Sequence, residues 1–345
     1  MNPLIYVLHS GNLYGTEQMA LATLDGLRAD HDPVLLAPDG PVHGAASALG
    51  IPSVRFASPA SLGRALLPHF RIHRRLGFVA TGVSHSLVGY ALAGALRRRV
   101  RHLHIVHGGT DERLSYGRKS LLAGFPVDLV AVSPFVRERL VAHGCPRARI
   151  SVVENFLPGS KVPRREAFSS PGVRRVAVIS RTDPIKRISL VLAALERYPA
   201  LAEITIDVFG AGSELEALRR RARAFPNLTL HGFVRDAAAR LSDYDLLLHT
   251  CAEEPFGLAL LEAMASGVPV LAPNAGGAGN LVTDGVSGFH FPANDAAALG
   301  RRLCELSNAP ADLLNAAVTG ADAALAGRFS PQRGLDQYRS LLAWS

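Results

Sequence analysis

The sequence predicts two α/β domains, each a doubly wound parallel sheet, with a deep cleft between them. Three observations carry this. Short apolar, β-branched runs alternate with helical patterns along almost the whole chain, the signature of parallel strands joined by crossover helices. A Pro-rich stretch without periodicity, "FLPGSKVPRREAFSSPG" (156–172), interrupts the alternation, which then restarts. Finally, 345 residues, 48% hydrophobic and 19% charged, are too many for one ordinary domain and enough for two with large cores.

In the first half the strand runs are "LIYVLHS" (4–10), "PVLLAP" (33–38), "SVRFA" (53–57), "FVATGVS" (78–84), "LHIVHG" (103–108), "DLVAVS" (128–133) and "ISVVEN" (150–155). Helical patterns such as "TEQMALATLDGLRA" (16–29) fill the gaps. Ser133 followed by Pro134 marks a helix start, with Ser as N-cap and Pro in the first turn. After the Pro-rich linker the strands read "RRVAVIS" (174–180), "ITIDVFG" (204–210), "NLTLHGF" (227–233), "DLLLHT" (245–250), "VPVLAP" (268–273) and "GFHFP" (288–292). The domains are therefore expected at 1–158 and 173–328, with a linker at 159–172 and a detached helix at 329–345. In that helix Leu335, Tyr338, Leu341 and Leu342 form an apolar stripe that needs a partner surface.

Composition excludes some functions. No apolar run reaches about 18 residues, so no spanning helix is expected. "MNPLIYVLHSGN" lacks a basic n-region and reads as a first strand rather than a signal peptide. Cys145, Cys251 and Cys304 are odd in number and lack metal spacing, which suits a reducing cytoplasm. The net charge of +8 comes from 37 basic residues of which only Lys119, Lys161 and Lys186 are lysine, the bias of a high-GC genome. The clusters "RIHRRLG" (71–77) and "RRRVRHLH" (97–104) fall at helix ends, where cations suit the dipole. They read as solvated surface, with a weak peripheral contact to an anionic membrane or an acidic substrate as the alternative. No aromatic stripe interleaves with them, so nucleic acid is not expected.

In doubly wound sheets ligands sit beyond the carboxyl ends of strands. After the first strand, "HSGNLYGTEQ" (9–18) places Gly11 and Gly15 in a loop that opens a helix. Such a loop lets backbone N–H groups approach a phosphate, although a plain βα turn reads the same way. It is not a G-x-G-x-x-G dinucleotide fingerprint. After "RRVAVIS", the loop "RTDPIKR" (181–187) offers Arg181, Lys186 and Arg187 to a diphosphate, or to solvent.

The richest stretch is "CAEEPFGLALLEAMASGVPVLAPNAGG" (251–277). Pro255 is expected to begin a helix reaching about Ser266, with Glu254 at its mouth. Glu262 then lies about 10 Å along the axis, roughly the span from sugar to ribose in a nucleotide diphosphate sugar. The N–H groups of Phe256, Gly257 and Leu258 would meet the diphosphate between them. Gly257, and Gly276 and Gly277 after the next strand, would permit close approach. A lone Glu at a helix start is otherwise a dipole-stabilising cap; one between Leu261 and Ala263 is harder to account for that way. Three further features are read as bland or secondary. "DYD" (243–245) has the D-x-D form of metal-dependent transferases, but Asp245 begins a buried strand. Cys251 reads as a buried small residue and His249 as pointing along its strand, while His85 is a candidate for the acceptor side.

"EEPFGLALLEAMASGVPVLAPNAGG" resembles the E-x7-E region of retaining glycosyltransferases of family 4, which have the GT-B fold. "SRTDPIKR" resembles the family's Arg and Lys loop, "FGAGSELEALRRRA" and "LTLHGFV" its following strand and turn segments, and "VHGG" (106–109) its His segment. "YGTE" (14–17) resembles its Gly-Gly loop, with Tyr14 in place of the first Gly. The resemblance implies transfer from a nucleotide diphosphate sugar with retention of configuration, no metal and no other cofactor. In that reading Arg181 and Lys186 hold the diphosphate, Glu262 the ribose and Glu254 the donor sugar. His107 contacts sugar or acceptor, and Val234 offers backbone groups to the base. UDP is the family's frequent nucleotide; the acceptor is a small molecule or oligosaccharide. The Arg-rich style further resembles actinobacterial antibiotic-pathway enzymes of the avilamycin type. The terminal helix is expected to cross back to the first domain, and donor binding to bring the two domains together. Two other functions share the fold: a nucleotide-sugar epimerase or hydrolase, against which the E-x7-E pattern argues, and a non-catalytic binding module, against which the joint presence of Arg181, Lys186, Glu254 and Glu262 argues.

Overall fold

A computed structural model describes residues 2–109, 111–157 and 162–344. The expected junction at 158–159, and Lys161, lie outside the described residues. The chain forms two compact units, Met1–Pro158 with Pro331–Ser345, and Gly159–Ser330. Among the described residues no helix is long and apolar enough to cross a membrane.

The first unit is built on seven strands, β1 (Asn2–Val7), β2 (His31–Ala37), β3 (Ser53–Arg55), β4 (Arg75–Ala80), β5 (Arg99–Val106), β6 (Asp128–Ala131) and β7 (Ile150–Val152). They lie in the order β3-β2-β1-β4-β5-β6-β7, and every pair is parallel. On one side of this sheet Ile5, Val7, Leu36, Phe78 and Ala80 bury against Leu62, Leu66 and Phe70 of the helix Pro59–Ile72. That helix starts where Ser58 accepts the Ser61 N–H at 3.2 Å and Pro59 presets the first turn. It stops at His73, which is extended.

Strand limits differ from expectation in two informative ways. The run 78–84 ends as a strand at Ala80, because Gly82 caps the helix Val83–Ala95; its apolar residues serve two elements. And the basic clusters do more than expected: the first ends the helix Pro59–Ile72 and the second follows the helix Val83–Ala95, as read, but β4 and β5 also begin inside them, at Arg75 and Arg99.

The second unit has six strands, β8 (Arg175–Ile179), β9 (Thr205–Phe209), β10 (Leu228–Gly232), β11 (Leu246–Leu248), β12 (Val270–Pro273) and β13 (Phe289–Phe291). Their order is β10-β9-β8-β11-β12-β13, again all parallel. Val176, Val178, Ile206, Val208, Leu246 and Leu248 form the centre of its core. The Pro-rich stretch packs on this unit where it is described. Phe168 is buried, with its N–H on Asn315 Oδ1 at 2.8 Å and the Arg165 guanidinium 3.6 Å from its ring centre. Arg165 also reaches Asp245 Oδ1 at 2.7 Å.

The terminal helix, Pro331–Leu342, belongs to the first unit. Its stripe buries Leu335, Tyr338 and Leu342, and Arg339 bonds Asp30 at 2.6 Å. In both sheets the winding reverses between the first strand and the fourth. The crevices at the carboxyl ends of β1 and β4, and of β8 and β11, are therefore the places where such sheets bind ligands.

Candidate active site

At the second switch point β8 delivers residues 180–187 and β11 delivers residues 249–257. These loops meet through charge. Lys186 Nζ donates to Glu254 Oε2 at 2.6 Å, with only 16% and 14% of the two side chains exposed. His249 Nε2 lies 3.3 Å from the same oxygen, off hydrogen-bond alignment. Burial, the largest single influence on Glu254, opposes its charge; His249 and Lys186 overcome it and hold the carboxyl well below the usual carboxylate range. Burial likewise pulls on Lys186, and Glu254 more than offsets it, so the ammonium is held above its ordinary range. The Lys186 carbonyl is fixed by Thr250 Oγ1 at 2.6 Å.

The neighbouring cations are also engaged. Arg187 makes a bidentate pair with Glu253, with Nη2 to Oε1 at 2.7 Å. Arg181, 60% exposed, reaches Asp183 at 2.8 Å. The loop offered to a diphosphate by the sequence is thus already neutralised by the chain's own carboxylates. His249, expected to run along its strand, instead joins Glu254. Its period-two spacing from Cys251 was the available signal.

The helix starts later than expected, at Leu258 rather than Pro255. Gly257 is its N-cap in a left-handed conformation, φ 102°, which explains the glycine and the delayed start. Glu254 therefore sits in the loop before the helix, and Glu262 is the fifth helical residue, only about 6 Å along the axis from the first. No side chain caps the helix, so its first N–H groups, Leu258 included, have no partner of that kind. Phe256 is buried edge-on against Phe329 and lines the interior rather than open space. Glu262 is half-buried, and among the described residues nothing pairs with its carboxylate; burial pushes its pKa up.

Gly276 and Gly277 have a different role from the one expected. A Cβ on Gly276 would lie 2.5 Å from the Ala252 carbonyl oxygen, and one on Gly277 would lie 2.2 Å from that of Pro255. They let the β12 loop press against the backbone that carries Glu254, which accepts the Gly277 N–H at 2.6 Å. Val234 follows β10, beside Phe233, which is 72% exposed and which the sequence reading passed over.

His249, Cys251 and Glu254 place three ligand-type atoms within 4.8 Å of one another. They do not fit a resident metal. The Lys186 ammonium holds the Glu254 oxygen such an ion would need, and burial pushes the Cys251 thiol up to about 11, away from thiolate. Asp245 is spent structurally: its Oδ2 accepts the N–H groups of Arg174 and Arg175 at 2.8 and 2.9 Å, at the far end of β11 from Glu254.

The first switch point is lined chiefly by imidazoles and a hydroxyl, with the Glu17 carboxyl and the Lys119 ammonium close enough to act on His9. His9 Nδ1 and Thr81 Oγ1, which follow β1 and β4, lie 2.8 Å apart. His107 follows β5, with Nε2 buried and without a hydrogen-bond partner. Burial, then His9, lowers its pKa to about 3. His85 packs edge-on to Phe56 at 5.2 Å, and burial takes it to about 4. The loop read as a phosphate cradle is filled by the chain itself. Glu17, buried in the first helical turn, accepts the Tyr14 N–H at 3.0 Å, beside Gly15, which begins that helix. A Cβ on Gly11 would lie 2.3 Å from the Asp39 carbonyl oxygen, so this glycine accommodates the next loop.

Two parallel doubly wound sheets in this order are the architecture of the GT-B fold. Residues 14–158 match the family model "Glycosyltransferase Family 4" and residues 173–309 the model "Glycosyl transferases group 1", so each unit belongs to a glycosyltransferase family. The chain is 29% identical to the amylovoran biosynthesis glycosyltransferase AmsK of Erwinia amylovora, over 66% of this chain and 62% of that relative. It is 26% identical to a GDP-mannose-dependent alpha-mannosyltransferase of Mycobacterium tuberculosis, over 81% of each. In fold it is similar to Anabaena HepE, solved in complex with UDP-glucose, at TM-score 0.81 and 20% identity over 99% of both chains. A glycosyltransferase from Rickettsia africae superposes at TM-score 0.79 and 17% identity, over 100% of this chain and 99% of that one.

Proposed function

We propose that the protein transfers a sugar from a nucleotide diphosphate sugar, with UDP as the nucleotide, to an acceptor hydroxyl, with retention of configuration and without a metal. The observation that carries this reading is Glu262. A half-buried carboxylate with no partner, on a helix whose first turn is uncapped, is an acceptor waiting for donors. A ribose supplies two vicinal hydroxyls to it. The diphosphate then lies over the free N–H groups at Leu258, next to Lys186 and Arg181. Lys186 has three N–H donors and can serve a phosphate oxygen while keeping Glu254. Arg181 gives up only an exposed pair with Asp183, which is worth little. As the glycosidic bond breaks, charge grows on the diphosphate, and these preorganised groups stabilise it where a metal would otherwise be needed. Glu254, kept ionised by Lys186 and His249, receives hydroxyls of the donor sugar. The leaving phosphate takes the acceptor's proton on the same face, which preserves configuration. His107 stays neutral and meets sugar or acceptor as a hydrogen-bonding group, and Val234 with Phe233 lies on the base side.

The HepE complex with UDP-glucose and the GDP-mannose-dependent relative support a nucleotide-sugar donor. The test is calorimetry with UDP alone. Glu262→Ala should lose tenfold or more in affinity, on the order of one charge-assisted hydrogen bond. Glu254→Gln, which keeps the side chain's shape beside Lys186, should lose less UDP affinity than Glu262→Ala and should lose transfer. Equal losses in UDP affinity would remove the ribose assignment, and an inverted anomeric centre in the product would remove retention.

A further inference from the structure

We propose that the amino-terminal edge of the first sheet is a docking surface for an anionic phospholipid bilayer. Three separate segments converge there. The helix Pro59–Ile72 ends in Arg71 and Ile72 and runs through Arg74 into Arg75 at the start of β4. The helix Val83–Ala95 leads through Arg97 and Arg98 into Arg99 at the start of β5, followed by Arg101. In the parallel register Arg75 lies beside Arg99. The terminal helix brings Ala343 and Trp344 to the same place: Arg75 and Arg99 sit 5.9 and 6.0 Å from the Trp344 ring centre, and Arg101 Nε donates to the Ala343 carbonyl at 2.8 Å.

Two features separate this edge from ordinary solvated surface. None of these seven arginines pairs with a carboxylate among the described residues. Their fixed contacts are to backbone and to Trp344, as when Arg98 donates to the Phe70 and Arg71 carbonyls at 2.6 and 3.0 Å. Asp30, at the neighbouring edge of β2, is already held by Arg339. Asp32, also at the start of β2 and near enough to act on His69, bonds none of the seven arginines, so among the described residues these cations carry no ion pair. The second feature is apolar. Ile72, between Arg71 and Arg74 in the chain, is 74% exposed, and Trp344 is half-buried beside two guanidinium groups. A soluble polyanion needs only the cations. An anionic bilayer uses the cations, the exposed Ile and an indole suited to the interface.

The strands are parallel, so His9, Thr81 and His107 lie at the opposite edge of the same sheet. Docking by this edge leaves them facing water, and donor binding should proceed unchanged on the membrane.

The experiment uses the full chain with vesicles of phosphatidylcholine, with and without phosphatidylglycerol. Trp344 is the only tryptophan, so its fluorescence reports the surface directly. Binding to the anionic vesicles alone is expected, with a blue shift of the indole emission and release at high salt. R71Q with R74Q should lower partitioning about thirtyfold, about fivefold more than either change alone, from roughly 1 kcal/mol per arginine near an anionic surface. I72S should weaken vesicle binding while leaving retention on dextran sulfate unchanged. Equal binding to neutral vesicles, no shift in the indole emission, or dextran sulfate binding as strong as vesicle binding and indifferent to R71Q with R74Q, would each overturn the proposal. Circular dichroism and a melting temperature of the variants equal to those of the parent show that they are folded.

Discussion

The two units share one strand order and fill its switch point with opposite chemistry. In the first, imidazoles and a hydroxyl line the crevice: His9 against Thr81, His107 with its Nε2 unpartnered among the described residues, His85 edge-on to Phe56. Burial keeps them neutral, with His107 near 3 and His85 near 4. In the second, the same position holds full charges in pairs, Lys186 with Glu254 and Arg187 with Glu253. A charge taken out of water must be paired to survive, whereas a neutral imidazole need only find a hydrogen bond. The fold thus fixes where a ligand lies in each unit, and the side chains decide what it can be. A diphosphate needs positive groups held in place; a hydroxyl acceptor needs polar groups without charge.

The comparison breaks most visibly at Lys186. Lys186→Met leaves the Glu254 carboxylate buried without its ammonium. The second unit should lose about 3–5 kcal/mol in urea unfolding, and turnover should fall about 10²–10³-fold. Adding Glu254→Gln should restore much of the stability and none of the turnover. If the double variant were as unstable as the single one, the pair would not be the unit of stability proposed.

Acid should separate the units. For histidines such as His107 and His85 the folded pKa lies below the unfolded value near 6.5, so the unfolded state takes up protons first. Stability is complete above pH 6.5 and falls as the pH drops toward the folded pKa, by up to about 1.4 kcal/mol per pH unit for each imidazole. His102 and His104 on β5 are lowered as well, both chiefly by burial, so the losses accumulate in one sheet. In the second unit Glu254 behaves as a depressed carboxylate: its contribution persists until the pH falls below the unfolded value near 4.3. Burial also lowers His290 in this unit. Hydrogen exchange between pH 6.5 and 4.5 should therefore loosen residues 2–157 while residues 173–309 stay protected. Loss of protection in both units together would end the contrast.

Much of this was legible in the chain, for physical reasons. Buried parallel strands are unbroken apolar runs, so all thirteen could be located, and the loops that follow them mark where chemistry lies. The E-x7-E spacing put Glu254 and Glu262 on one helix and its entry loop, and the structure has them there. What stayed hidden depends on contacts between distant loops. No spacing reveals that Lys186 is held by Glu254, 68 residues away, or that the cations of the 181–187 loop come already paired. The glycines misled in the same way. Gly11 and Gly277 look like ligand loops because they permit close approach, but what approaches is the next loop's carbonyl. Strand starts were lost where they carry charge: Arg75 and Arg99 begin strands inside clusters that read only as the ends of the preceding helices.

That distinction between ligand glycines and packing glycines can be sharpened. Gly277→Ala would place a Cβ 2.2 Å from the Pro255 oxygen and 2.8 Å from the Glu254 oxygen, both backbone atoms that must shift. Moving the Glu254 loop by about 1 Å should cost up to about 10²-fold in transfer. The matched change in the first unit, Gly44→Ala, meets nothing within 4 Å and should be close to silent. Transfer by Gly277→Ala at the parent rate would show that the loop tolerates displacement and that the pressing of loop on loop is incidental.

The smallest expected effect is a gain in stability, and it tests whether Glu262 is a binding group or part of the scaffold. Burial raises its folded pKa above the unfolded value, and no partner compensates. The sign follows: the folded state prefers the proton, so this carboxyl favours folding below about pH 4.3 and opposes it as the pH rises through the folded pKa. At neutral pH the free protein therefore carries a cost that Glu262→Gln removes, since the amide is nearly the same shape and needs no ionisation. Each kcal/mol recovered should raise the melting temperature of the second unit by about 2–4 °C. The gain should fade below pH 4, where the parent is protonated too. It should also shrink or reverse with saturating UDP, because the bound nucleotide stabilises the parent more than the variant. A scaffold residue would behave differently: removing its charge would lower the melting temperature at every pH and leave UDP affinity untouched. A lower melting temperature for Glu262→Gln at pH 7 without ligand would place Glu262 in the framework and leave the ribose without its acceptor.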